Sequence, residues 1–395
     1  MSAFSLLWSI DRNYVLILLM KEVYLDNAAA TPVDSRVLRK MIPYMKNEYG
    51  NPSSLHFKGL EAKRAVIVAR EKISKIIGGS PFEIIFTSSG TESANLAIFG
   101  VAEQYKNIGK HIIVSSIEHA AVFESVKKLQ KLGFKITFLK VDAKGYVDLD
   151  ELKKSLRRDT ILVSIIYANN EIGTIQKISQ ISKIIKTYRN NNNLPILHID
   201  ACQAPCLLSM NAGSLGADLL TLNSAKVYGP KGVGLLFKNK RITISPTILG
   251  GGQERGLRSG TENVAGIIGF TEALGISDKM RASETKRLSA IKKYAIQKIY
   301  GKYPEAIFNG DTENGLASII NVSIPSKVAE RMVLDLSIKG VCISSGSACI
   351  QADSEKPSRV LSAIGLTRER ALASIRISMG RETTKKDIDY LMKYL

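Results

Sequence analysis

The chain has 395 residues, 45% of them apolar, with 55 Lys and Arg against 36 Asp and Glu, a formal net charge of +19. That length and apolar share exclude a disordered chain and a single small core. Four cysteines exclude a disulfide framework, and the spacings Cys202 to Cys206 and Cys342 to Cys349 fit no common zinc site, so no metal and a reducing, cytoplasmic setting are expected. The positive charge is spread along helices, as at Lys127, Lys128 and Lys131, without interleaved aromatics. It reads as a solvated surface rather than a nucleic-acid platform, with an acidic protein or transfer RNA left open as an anionic partner.

Residues 1–20 are apolar at Leu6 to Trp8 and Val15 to Met20, interrupted by Asp11, Arg12 and Asn13. Each half is too short to span a bilayer, so an N-terminal extension is expected rather than a membrane anchor. Next, Glu61 to Ile77 places Ala62, Ala65, Val66, Ala69, Ile73 and Ile76 on one helical face before a Gly78 stop. From Glu83, β-branched runs alternate with amphipathic helical stretches. Expected strands are Glu83 to Thr87, His111 to Ser115, Lys135 to Leu139, Ile161 to Tyr167, Pro195 to Asp200, Asp218 to Asn223 and Gly232 to Phe237. This is the α/β pattern of a mainly parallel sheet covered by helices. Beyond Met280 the texture changes to a long charged helix, a few strands and a final helix. The expected division is a large domain over 36–280 and a smaller α+β domain built from 21–35 and 281–395.

Three places carry chemistry. Thr87 to Ser93 runs from a strand into a helix, and small residues there, Gly90 among them, let backbone N–H groups and the Thr91 hydroxyl approach a phosphate; a plain serine-rich cap reads equally well. Asp200 ends a strand where α/β sheets place ligands, and a buried carboxylate there needs a cationic partner, such as a protonated pyridine nitrogen. Lys226 follows the strand ending at Asn223, in a loop able to desolvate its amine as a Schiff-base lysine requires; Lys231, inside a Gly-Pro-Lys-Gly turn, is the exposed rival.

Together these pieces resemble the fold-type I pyridoxal-phosphate enzymes, and within them the class V aminotransferases that include cysteine desulfurases. The resemblance spans nearly the whole chain from Glu22. It is carried by Tyr24 to Pro32, Gly50 to Ser54, Glu118-His119, Asn169 to Gly173, Gly250 to Gly256 and Ser344-Ser345-Gly346-Ser347-Ala348-Cys349, the last similar to the long-loop desulfurase signature. It implies that Lys226 holds the cofactor as a Schiff base and that Asp200 keeps its ring nitrogen protonated. Gln203 would bond the phenolic oxygen, His119 stack on the ring, and Gly90 and Thr91 hold the phosphate. Asn170 would face cofactor and substrate, and Arg376 clamp the substrate carboxylate. Cys349 would take sulfur from L-cysteine as a persulfide and release alanine, with Lys226 as general base and His119 assisting.

Where relatives usually carry Ser and His before the lysine, this chain has Asn223 and Ala225. Weaker cofactor retention is expected, with Asn223 or Ser224 as replacement donors. Gly250 to Asn263 resembles a loop crossing a homodimer interface, which would bring Thr261 to the partner's cofactor phosphate. The chain stops at Leu395, where many relatives continue with a scaffold-docking tail, so the acceptor could be an iron–sulfur scaffold or a transfer-RNA thiolation protein. Competing readings are another class V reaction, such as selenocysteine lyase or an aminotransferase, and an inert scaffold that keeps the fold.

Overall fold

A computed structural model describes residues 21–189, 193–345 and 357–395, so Cys349 lies outside the described residues. In chain order the strands are β1 (Val23–Tyr24), β2 (Ile84–Thr87), β3 (His111–Ser115), β4 (Lys135–Leu139), β5 (Thr160–Ile166), β6 (Ile196–Asp200), β7 (Leu219–Asn223), β8 (Gly234–Lys238), β9 (Ile307–Phe308), β10 (Ile319–Ser323), β11 (Val341–Cys342), β12 (Ser344–Ser345) and β13 (Ser374–Ser378). Every residue of β2, β3, β5 and β6 is buried, so these strands are covered on both faces. That is why their sequences are apolar runs and not alternating ones.

The large sheet has seven strands in the order β2-β8-β7-β6-β5-β3-β4. The ladders β7-β6-β5-β3-β4 are parallel, whereas β8 is antiparallel to both its neighbours. The connection from β7 to β8 is too short for a helical crossover, so the chain can only double back there. The carboxyl ends of β5 and β6 are in register at Ile166 and Asp200, and that edge forms the floor of the candidate site. Just upstream, His198 is buried and bonded to Ser164 at 2.8 Å and Thr221 at 2.9 Å, which ties β5, β6 and β7 together behind Asp200. Burial drops its pKa to about 4, so the ring is neutral.

The amphipathic helix expected from Glu61 starts earlier and runs Phe57–Ile77. Ala62, Val66, Ala69, Ile73 and Ile77 are its buried stripe, flanked by the partly buried Ala65 and Ile76. It ends at Gly78 with φ 72°, a left-handed cap that glycine adopts without a Cβ penalty. The small sheet has four antiparallel strands, β12-β13-β10-β9, and β1 pairs in parallel with β11. One helix, Val264–Lys302, runs without a break through the boundary expected near 280. Among the described residues no helix is long and apolar enough to cross a membrane.

Candidate active site

A cleft of about 250 Å3 opens over the carboxyl ends of β2, β5, β6 and β7. Lys226, Asp200, His119, Gln203, Asn170, Gly90, Thr91 and Arg376 all line it, so eight of the residues singled out in the sequence meet in one place.

Asp200, the last residue of β6, is buried, and its Oδ1 accepts from Cys202 N at 3.0 Å. β7 ends at Asn223, and its Oδ1 caps the short turn Ser224–Lys226 by accepting from Ala225 N at 3.2 Å. That turn aims the half-buried Lys226 into the cleft. Lys226 Nζ donates to Ala28 O at 2.9 Å and Ala29 O at 2.5 Å, and Gln203 Nε2 donates to the same Ala28 oxygen at 2.8 Å. The N-terminal segment is thereby drawn across the site. Lys231 is exposed, donates to Thr31 O at 3.1 Å and stays outside the cleft.

The helix Gly90–Tyr105 points its N-terminus at the cleft, with Ser89 Oγ accepting from Glu92 N at 3.1 Å. A Cβ on Gly90 would stand 2.7 Å from Cys202 Sγ and 3.1 Å from Asn223 Cβ, so only glycine fits without displacing them. The exposed Thr91 hydroxyl and the first-turn N–H groups stand at this helix N-terminus, where the aligned peptide dipoles favour an anion.

His119 caps the next helix, Ala120–Lys131, its Nδ1 accepting from Ala121 N at 3.1 Å. The neutral ring therefore carries its proton on Nε2. Burial holds its pKa below the ordinary imidazole value; Asp200 raises it in part, and Lys226 and Arg359 lower it further. The neighbouring Glu118 is fully buried, its Oε1 accepting from Ser115 Oγ at 2.5 Å and Ile166 N at 2.8 Å. Burial pushes this carboxyl up to about 8, against the opposing effect of those two bonds.

Arg376 reaches the cleft from β13. Its Nη2 donates to Asp26 Oδ1 at 2.7 Å and its Nη1 to Asn170 O at 3.0 Å, while its buried Nε finds no partner among the described residues. A planar guanidinium held on one side, with a donor left over, suits a second carboxylate.

The three described cysteines are poor nucleophiles. Burial raises the thiols of Cys202, Cys206 and Cys342 above the ordinary value, which keeps them protonated.

Two expectations are corrected or left aside. Ser224, the first residue of the turn that follows β7, does not line the cleft, whereas Asn223 and Lys226 do. The Ser224 hydroxyl is buried so close to Gly229 that a Cβ there would lie 2.1 Å from it. Thr261 is exposed and outside this chain's own cleft; its expected role concerns a second copy. Asp26 and Glu118 lie in motif segments, but the bonds that give them a part in the site, to Arg376 and to Ile166 N, are not visible in the sequence.

The donor set fits pyridoxal phosphate: an amine, a buried carboxylate beside a stackable imidazole, and a helix N-terminus with a hydroxyl. Asn223, beside Gly90, adds a side-chain amide where that phosphate would lie.

The chain is similar to known proteins along nearly its whole length. A domain profile described as "Aminotransferase class-V" matches residues 23–391. The cysteine desulfurase IscS of Dictyoglomus turgidum is 47% identical over 375 residues, 95% of this chain and 94% of that one. The cysteine desulfurase IscS 1 of Archaeoglobus fulgidus is 44% identical over 372 residues, 94% of this chain and 95% of its own. Among solved structures, a NifS-like protein superposes with TM-score 0.88 at 38% identity, covering 94% of this chain and 98% of its own.

Proposed function

Since the chain belongs to the class-V aminotransferase family, as a cysteine desulfurase within it, we propose that it converts L-cysteine to L-alanine and carries the removed sulfur as a persulfide on Cys349. One observation carries this reading: the amine, acid, imidazole and guanidinium share a cleft beside the strand that leads to Cys349. Ser344 on β12 pairs with Arg376 on β13, and Cys349 follows five residues later. Five residues span at most about 18 Å, which limits how far along the chain Cys349 can lie from Ser344.

Lys226 would carry pyridoxal phosphate, Asp200 would face its ring nitrogen and Gln203 its phenolic oxygen; Gly90, Thr91 and Asn223 would receive its phosphate. When bound, the cofactor supplies an electron sink that acidifies the substrate Cα. Arg376 binds the substrate carboxylate with N–H groups not spent on Asp26 and Asn170 O, and Asn170 closes the side of the cleft next to it. Lys226 Nζ removes the proton from Cα. Neutral His119 serves the substrate thiol through Nε2, because Nδ1 is occupied by the helix N-terminus. The Cys349 thiolate attacks the substrate sulfur: an S–S bond forms, the Cβ–S bond breaks with its electron pair left on carbon, and a proton completes the methyl group of alanine. The persulfide then passes to an acceptor, an iron–sulfur scaffold or a transfer-RNA thiolation protein.

We further read the chain as a cytoplasmic homodimer. Leu38, Ile42 and Met45 of the helix Ser35–Lys46, together with Phe57 and Leu60, are exposed. Large apolar side chains left exposed in this number support an interface there.

The test is alanine release from L-cysteine by the cofactor-loaded protein. Lys226→Ala and Cys349→Ala are each expected to abolish it. Alanine release that survives without Cys349 would rule the thiol out.

A further inference from the structure

Two buried residues face each other across the small sheet, Asn321 on β10 and Arg376 on β13. Both reach out of that sheet to one turn of the large sheet's surface. Arg376 Nη1 donates to Asn170 O at 3.0 Å, and Asn321 Nδ2 donates to the next carbonyl, Glu171 O, at 3.2 Å. Consecutive carbonyls are therefore gripped by adjacent strands.

The orientation of the Asn321 amide follows from its partners. Its Oδ1 accepts from Asn309 Nδ2 at 2.8 Å, and Asn309 Oδ1 accepts in turn from Arg370 Nη2 at 2.9 Å. Because arginine only donates, every amide in this row must point its N–H groups toward Glu171. The turn has little slack against the sheet. Gly173 has φ 74°, and a Cβ there would stand 3.2 Å from Ile319 of β10. On the far side, Asn169 Oδ1 accepts from Glu171 N at 2.9 Å and Ile172 N at 3.0 Å.

We propose that Asn321 is a positioning residue for desulfuration: its bond to Glu171 O fixes the turn that presents Asn170 and orients Arg376 toward the substrate carboxylate. Asn321 does not line the cleft. Without the bond, the Glu171 carbonyl loses its buried donor, the peptide turns to find another, and the Asn170 carbonyl that steadies Arg376 shifts with it. The carboxylate clamp acts equally on bound substrate and transition state, so the loss belongs in KM and not in kcat.

The inference rests on the desulfurase reading, and two measurements separate their failures. In Asn321→Ala, and in Asn321→Ser, which is too short to reach Glu171, KM for L-cysteine is expected to rise about tenfold with kcat changed by less than about threefold. Amide hydrogen exchange of the segment 170–173 is expected to quicken in both variants, whether or not the protein turns over cysteine. Asn309→Ala, which removes the support behind Asn321 along with Asn309's bonds to Ser323 Oγ and Arg370, is expected to show the same pattern more weakly. Unchanged exchange with unchanged KM, or a fall in kcat with KM unmoved, overturns the proposal. A wild-type protein without turnover whose variants still exchange faster overturns the desulfurase reading and keeps the clamp.

Discussion

Replacing Arg376 by lysine keeps the charge on β13 but removes the fork. The native guanidinium spends Nη2 on Asp26 and Nη1 on Asn170 O, and offers Nε from a buried position. A lysine has one compact ammonium, so drawing it to Asp26 removes the planar fork that pairs with a second carboxylate. Hydrogen bonds to charged groups are worth about 1.5–3 kcal/mol, which corresponds to roughly 10- to 150-fold in affinity. The assay compares L-cysteine with cysteamine, which has the same amine and thiol but no carboxylate. In Arg376→Lys, kcat/KM for L-cysteine is expected to fall by roughly 10- to 100-fold. The response to cysteamine, followed by the bound cofactor's absorbance, is expected to stay within about threefold, since it never used that contact. An equal loss for both compounds would refute the assignment, because the arginine would then be supporting the fold or the cofactor and not the carboxylate.

Glu118 gives a pH-dependent prediction. Its folded pKa is raised from 4.5 to about 8 by burial. Between those values the unfolded chain has lost the proton that the folded chain keeps, so stability falls as pH rises, by at most about 1.4 kcal/mol per unit. Glu118→Gln does not titrate, and urea denaturation from about pH 5 to about pH 8 is expected to show the wild type losing stability relative to it; parallel profiles would contradict this. Gly90→Ala forces a methyl group against Cys202 Sγ, 2.7 Å away, and is expected to weaken cofactor binding about tenfold by equilibrium dialysis, with partial recovery in the Gly90→Ala, Cys202→Ala double variant. Leu60→Glu, at one of the exposed apolar residues, is expected to give a monomer by light scattering; a dimer unchanged by that charge would place the interface elsewhere.

Much of this architecture was legible because it depends on local pattern. The strands His111–Ser115 and Lys135–Leu139 fall where apolar β-branched runs place them, and the others shift by one or two residues at their ends. The reversal of β8 was not legible, since direction depends on how a connection folds and not on strand composition. The same divide runs through the site. Lys226 and Asp200 announce themselves by following strands, and both line the cleft. That Ser224 does not line the cleft was not legible, because the facing of a residue just past a strand is decided by the turn it enters. Asp26 reaches Arg376 across 350 positions of sequence, and Asn321 reaches Glu171 across 150, so their roles follow only from sheet register. Glu118 is recognisable as a motif partner of His119, but its neutral state is a consequence of burial that no spacing reveals.

The central claim is that sulfur leaves L-cysteine onto one particular thiol. Brief incubation of the cofactor-loaded protein with L-cysteine, alkylation and peptide mass analysis tests it directly. The Cys349 peptide is expected to gain one sulfur atom in step with alanine release, while the peptides holding Cys202, Cys206 and Cys342 stay unchanged. Alanine formed with no added sulfur on Cys349, or with the sulfur on one of the buried thiols, would contradict it.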